Sequence, residues 1–267
     1  MKLQGSLPKI SHSYAERIQS YISLGGHVLH VNDLIGRTLR IEFTGQSHCK
    51  SCDGQFEGEL FRMGFCKRCF FESPFAGDYI VSPEKSTAHL GQADRDLSVE
   101  RDIQLKPHTV YLADSGGIKV GVTRGEEPWH RWMDQGASEG LAIARTDNRY
   151  EAGVIEVALK GHFADKTFWK PMLSGQRASQ TLAEAAALAQ QHVPAEMTKF
   201  WLPDGPSRVL QFDMPETMPP LTRYKLKSGE VLEAKLLGVR GQYLVFEDGR
   251  CWSTRAQEGM IVDVEIC

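Results

Sequence analysis

Apolar and polar positions alternate in short runs over the first 46 residues. Residues 15–24, a Gly25-Gly26 turn, residues 27–31 and residues 38–44 read as strands, and the stretch is predicted to be a small β module. Residues 45–75 are rich in Phe and Cys, and Ser82-Pro83-Glu84-Lys85 then opens a polar connection that runs to about residue 106. The pattern changes at His108. Residues 109–113, a Ser115-Gly116-Gly117 turn and residues 118–123 predict a hairpin. After Pro128 a short helix is expected to stop at Gly136, and Ala152, Ile155, Leu159 and Phe163 trace one face of a longer helix. Residues 181–192 form an alanine-rich helix, followed by a run of prolines at 194, 203, 206, 215, 219 and 220. From there to the end, strands alternate with turns at Ser228-Gly229, Arg240-Gly241 and Asp248-Gly249, which suggests a small β-barrel.

The fold expected is therefore α+β and multi-module. Its pieces are an N-terminal β module (1–46), a zinc ribbon with its polar connection (47–106), an α/β domain (107–193), a Pro-rich linker (194–219) and a C-terminal small β-barrel (220–267). A length of 267 residues allows two or three modules. No run of about 18 apolar residues occurs, so no membrane partner is expected. Residues 1–10 lack the apolar stretch of a signal peptide, and a cytoplasmic protein is expected. A net charge of −3 gives no overall attraction to nucleic acid, so such binding needs a local patch.

Cysteine usage carries the strongest signal. Cys49-x-x-Cys52 and Cys66-x-x-Cys69 are separated by thirteen residues, the spacing of two knuckles that meet at one tetrahedral Zn²⁺. Gly54 is expected to supply the backbone freedom of the first knuckle. Four thiolates close the coordination sphere, which makes the zinc structural and places zinc-dependent hydrolysis last among the readings. Lys50, Arg62, Lys67 and Arg68 with Phe56, Phe61, Phe65, Phe70 and Phe71 fit a phosphate-binding face with rings for bases. They fit equally well as counter-ions to the thiolates and as a small aromatic core.

Thr109-Val110-Tyr111, a Gly-rich turn and Lys119-Val120-Gly121 resemble the paired motifs of the GIY-YIG nuclease superfamily, with Arg131 on the next helix and Glu156 on the one after. That resemblance makes 107–193 a GIY-YIG-like domain. It casts Tyr111 as general base, Lys119 as the cation beside it, Arg131 as phosphate clamp and Glu156 as ligand of a catalytic Mg²⁺. Lys119 stands where the second motif has tyrosine. Each residue also has a plain structural role: Tyr111 as a core phenol, Glu156 paired with Lys160, and Arg131 paired with Asp134 or Glu127. Arg124, Trp132, Lys166 and Lys170 are candidate nucleic-acid contacts, with Trp129 and Trp169 as further rings.

Over nearly its whole length the chain also resembles the bacterial domain of unknown function 2797 family, through Phe43-Thr44-Gly45-Gln46, Ser82-Pro83-Glu84-Lys85, residues 131–137 and Ala164-Asp165-Lys166-Thr167. Members of that group carry a second set of cysteines near the Ser-Pro-Glu-Lys stretch. Here Ala76, Tyr79, Ser86 and Ala93 occupy that region, and His89 is its one remaining ligand type. Two functions follow as expectations. One is nucleic-acid processing, with Mg²⁺-dependent phosphodiester hydrolysis. The alternative is a non-catalytic adaptor that binds RNA, DNA or a ribonucleoprotein, with protein partners met through the C-terminal barrel.

Overall fold

The computed structural model describes residues 1–164 and 167–267. Along the chain run β1 (Lys2–Ser6), β2 (Ser11–Ser13), β3 (Gln19–Leu24), β4 (His27–His30), β5 (Thr38–His48), β6 (Gln55–Glu57) and the short helix α1 (Lys67–Glu72). Next come α2 (Leu97–Gln104), β7 (His108–Asp114), β8 (Ile118–Arg124), α3 (Trp129–Asp134), β9 (Glu139–Thr146), α4 (Arg149–Leu159), α5 (Trp169–Leu173), α6 (Leu182–Gln190) and β10 (Ser207–Val209). Strands β11 (Thr222–Tyr224), β12 (Val231–Arg240), β13 (Tyr243–Phe246), β14 (Arg250–Ser253) and β15 (Met260–Ile266) complete it. The chain divides into two compact units, Met1–Glu72 with Gln211–Cys267, and Ser73–Leu210.

In the first unit, strands from both ends of the chain share one sheet of order β1-β15-β5-β12-β13-β14-β11, and β6 pairs with β5. The reason lies in β5, whose Leu39, Ile41 and Phe43 point inward while Arg40 and Glu42 face out. Its neighbours carry the same rhythm in register: Leu232 and Val264 both stand opposite Ile41, and Val262 stands opposite Phe43. These rows pack with Leu7, Ile10, Leu24, Leu244, Phe246 and Trp252 into one core. Two buried glutamines act as detached rungs of a ladder. The Gln242 amide accepts from Ile10 N–H and donates to Ile10 C=O, both at 2.8 Å. Gln257 does the same for Leu226 and also accepts from Trp252 Nε1–H at 2.7 Å.

The C-terminal barrel expected from residues 220–267 is corrected by this topology. Among the described residues the end strands β1 and β11 do not pair with each other, so the sheet is open. Those C-terminal strands find partners in β5 and β1, about 200 residues away in sequence, and local alternation cannot reveal a pairing of that range.

The second unit is built on a sheet of order β10-β9-β7-β8. The expected 108–124 hairpin is present as β7 and β8, with Tyr111 directly opposite Gly121. Strand β9 interrupts the helices that the pattern places after the hairpin. It pairs with β7 through a register shift beside Tyr111 that leaves Ile143 as the extra residue. Val110, Leu112, Val120 and Ile143 pack on α4 and α6 through Ala152, Ile155, Leu159, Ala185 and Ala189. Tyr111 alternates to the other face, where α3 lies across Gly140.

Both long helices have side-chain caps, Asn148 accepting from Glu151 N–H and Thr181 forming a capping box with Glu184. A chain of 3₁₀ turns runs from Pro74 to Leu90, and the polar connection expected from Ser82 to about residue 106 holds the last two of them and α2. That connection is fixed by the buried Glu100 carboxylate, which accepts from the N–H groups of Asp94, Arg95 and Asp96.

A Cβ on Gly140 would overlap the Trp132 indole, and Trp132 is fully buried. Gly140→Ala is expected to destabilise the second unit by about 1–3 kcal/mol through overpacking. A thermal melt followed by circular dichroism checks this, and an unchanged transition would refute it.

Candidate metal centre and basic pocket

The first site is the cysteine cluster. Cys49 follows the end of β5, Cys52 lies in the turn to β6, and Cys66 and Cys69 flank the start of α1. The four sulfurs lie within 4.8 Å of one another, close enough to hold a metal ion such as zinc. Backbone amides point at them: Cys66 N–H donates to Cys49 Sγ at 3.3 Å and Cys69 N–H to Cys66 Sγ at 3.5 Å. Asp53 (φ 60°) and Met63 (φ 53°), not Gly54, take the left-handed turns. Gly54 is small for another reason, since a Cβ there would crowd Cys52 Sγ and the Phe56 ring.

Electrostatics argue for a cation. Burial alone would push the Cys49 thiol up, but backbone donors from Cys66, Cys52 and Ser51 bring it down to about 6, while burial and the neighbouring sulfurs push Cys69 up to about 12. Sulfurs this close cannot all ionise without a positive charge between them.

Around the cluster, Lys50 pairs with Glu258 at 3.4 Å and lies 4.5 Å from the Phe65 ring, and Arg68 pairs with Glu72 at 2.9 Å. Phe61, Phe70 and Phe71 pack on one another with centroids 5.2–5.5 Å apart. Two of the four cations in the expected phosphate face are thus engaged by carboxylates. His89 stacks on Tyr150 at 4.3 Å, and no second ligand cluster occurs among the described residues.

The second site lies in the second unit. Tyr111 is fully buried over Gly121, and its hydroxyl donates to Gln135 Oε1 at 3.0 Å. Burial drives the phenol's pKa up, against the downward pull of Arg131 and Gln135. At neutral pH this group holds its proton, the reverse of what a general base needs. Arg131, half-buried on α3, acts on the same hydroxyl by its positive charge. Glu156 is 8% exposed on α4 and lies 3.4 Å from Lys160, the plain i,i+4 pair. Burial raises its pKa, Lys160 and Arg149 oppose that rise, and Glu84 adds to it. Glu156 acts on the Tyr111 phenol only through its charge, because Tyr111 and Arg131 meet on the α3 face of the sheet while α4, which carries Glu156, packs on the other face. Lys119, 5% exposed, points to the Tyr111 face two residues from Gly121.

Two buried charged or titratable residues beside this group escaped the sequence reading. Arg149, in the first turn of α4, is 8% exposed and donates to the carbonyls of Tyr79 (2.7 Å) and Ile80 (2.9 Å). Burial lowers its pKa to about 10; Glu156 and Tyr79 oppose the fall, and the charges of Arg131 and Arg124 add to it. His108 is fully buried, with Nδ1 bonded to Lys106 C=O at 2.7 Å. Burial, aided by Arg149 and Arg124, lowers its pKa to about 4. The Thr146-Asp147-Asn148 cap signal marks a helix start immediately before Arg149, and it was the available clue.

Of the other expected contacts, Arg124 at the end of β8 and Lys170 on α5 are exposed, and Lys166 lies outside the described residues. Trp132 is sealed between Tyr111 and Gly140 and offers no face to a base. No helix among the described residues is long and apolar enough to cross a membrane.

A family model described as a protein of unknown function (DUF2797) matches residues 36–262. No match is found among curated proteins or among solved structures.

Two outcomes are expected. Protein purified without chelator should release a single equivalent of zinc to a colorimetric chelator, and Cys49→Ser should abolish that release and expose residues 47–72 to proteolysis; intact, zinc-free protein would refute the metal. His108 has a folded pKa below its ordinary 6.5, so the unfolded chain binds more protons between pH 6.5 and 4. Stability present above pH 6.5 should fall as the pH drops through that window, by up to about 2 kcal/mol at pH 5. Urea titrations at pH 7 and pH 5 should show the loss, and His108→Gln should flatten it.

Proposed function

The chain belongs to the DUF2797 family, and because that description names no activity, we propose a function from the pocket itself: the second unit binds the phosphodiester backbone of nucleic acid. The observation that carries this reading is that Arg131 acts on the Tyr111 hydroxyl, and that Arg131 and Arg124 both act by charge on the buried Arg149. Burial, with a smaller push from the charges of Arg131 and Arg124, lowers the Arg149 pKa to about 10. The Arg149 fork is taken by the Tyr79 and Ile80 carbonyls, so the half-buried Arg131 and the exposed Arg124 are the guanidiniums whose planar forks suit phosphate oxygens. The GIY-YIG-like order of Tyr111, Arg131 and Glu156 agrees with a phosphate as the ligand. The buried, protonated phenol favours binding over catalysis.

The cysteine cluster acts here as a structural zinc site. With four sulfur ligands it has no open position for a substrate water, so it supplies folding energy to residues 47–72.

A second reading, Mg²⁺-dependent hydrolysis, has one observation in its favour. Glu84 Oε2 is buried without a hydrogen-bond partner, and its charge acts on Glu156, whose Oε2 meets Lys160 Nζ at 3.4 Å. Glu156 would hold the ion, which would polarise a phosphoryl oxygen. Arg131 would orient the phosphate, and Tyr111 would donate its proton rather than accept one.

Fluorescence anisotropy with labelled DNA and RNA tests both readings. Binding should weaken steeply with salt, and Arg131→Ala should lower the salt slope by about 1. Absence of binding at low salt would overturn the proposal. Cleavage that needs Mg²⁺ and is lost in Glu156→Gln would move the second reading ahead of the first.

A further inference from the structure

The face of the second sheet that carries Tyr111 also carries a row across its strands. Arg208 on the edge strand β10 stands opposite Gly140 on β9, which stands opposite Ala113 on β7, which stands opposite Lys119 on β8. Gly140 leaves room for Trp132, and Trp132 in turn supports Trp129, with centroids 6.2 Å apart and ring planes at 69°. Trp129 is only half-buried. The Arg208 guanidinium lies 3.9 Å from the Trp129 ring centroid, and the indole N–H donates to Glu127 Oε2 at 3.1 Å, which fixes the ring's orientation. An aromatic ladder therefore runs from the sealed Tyr111 phenol through Trp132 to a cation-capped indole at the edge of the sheet.

Such a pair costs ordering entropy, and the fold could bury its core without it, because Trp132 already fills the space over Gly140. Planar cations and indoles are the two side-chain surfaces on which unpaired bases stack. Arg131, two residues further along α3, places a phosphate-binding cation on the same helix. We propose that Trp129 and Arg208 form a stacking platform for an unpaired nucleobase, so that the strand bound at Arg131 is single-stranded. A base in a duplex has both faces covered by its neighbours and cannot reach the platform. The inference rests on the phosphate-binding reading of the pocket. It adds what that reading lacks, a preference for single strands.

The test compares oligothymidylate and oligouridylate of about 12 nucleotides with a duplex of equal length, by anisotropy at one salt concentration. Wild-type protein should favour the single strands. Trp129→Ala should weaken single-strand binding by about 5- to 150-fold and leave duplex binding unchanged, with Trp129→Phe restoring most of the loss. Arg208→Ala should weaken single-strand binding in the same direction, which keeps the test decisive should Trp129→Ala fail to fold. A thymidylate or uridylate preference would identify DNA or RNA as the source of the base.

If Trp129→Ala and Arg208→Ala bind single strands as tightly as wild type while Arg131→Ala does not, the platform is refuted and the phosphate pocket stands. If wild-type protein binds neither single strand nor duplex, the pocket reading fails and the platform fails with it.

Discussion

Close approach of two backbones organises the second unit. A Cβ on Gly153 would overlap the Pro83–Glu84 peptide, so the Ser-Pro-Glu-Lys turn sits directly on α4 with no side chain between them. One turn before Gly153 on the same helix, Arg149 donates to the Tyr79 and Ile80 carbonyls, tying the preceding turn to it as well. One turn after it comes Glu156. The turn thus positions both the buried cation and the buried carboxylate of the pocket. A polar tetrapeptide becomes the support for two buried charged side chains next to it. Glu84 also contributes directly, as the charge that raises Glu156 further.

In the first unit the corresponding part is β5. Its first half lies in the sheet core between β12 and β15, and its far end carries Cys49 beyond His48. Gly259 N–H donates to Leu7 C=O and Gly259 C=O accepts from His48 N–H, so the strand that leads to the cysteines is held by segments from both ends of the chain. A metal ion bound by the four sulfurs would draw on that rigidity. The sulfur cage and the apolar core are two ends of one strand.

Much of this was legible in the residues. Alternation marked the first half of β5, turn glycines marked the β7–β8 hairpin, and cysteine spacing marked the cluster of four sulfurs. Helical periodicity named Ala152, Ile155 and Leu159, all of which are fully buried. What escaped depends on contacts distant in sequence. The open sheet could not be told from a barrel because β12 and β15 pair with β5 and not only with local neighbours. Strand β9 was hidden because it carries small residues, Gly140, Ala142 and Ala144, whose size answers to Trp132 and to close packing and not to strand propensity. Tyr111 reads as a site residue from motif order and Trp132 as a ring for bases, and pattern alone does not say that a ring is sealed.

The placement of one unit inside the sequence of the other has a consequence for synthesis on the ribosome. Residues 73–210 emerge with all their partners and can fold at once. Strands β1 and β5 must wait for β12 and β15, which are made after residues 73–210. During that delay their ladder groups stay open, and the knuckle cysteines have no finished sheet behind them. Nascent-chain protection by chaperones, and metal loading once β15 is in place, fit a protein whose early strands are completed by much later ones.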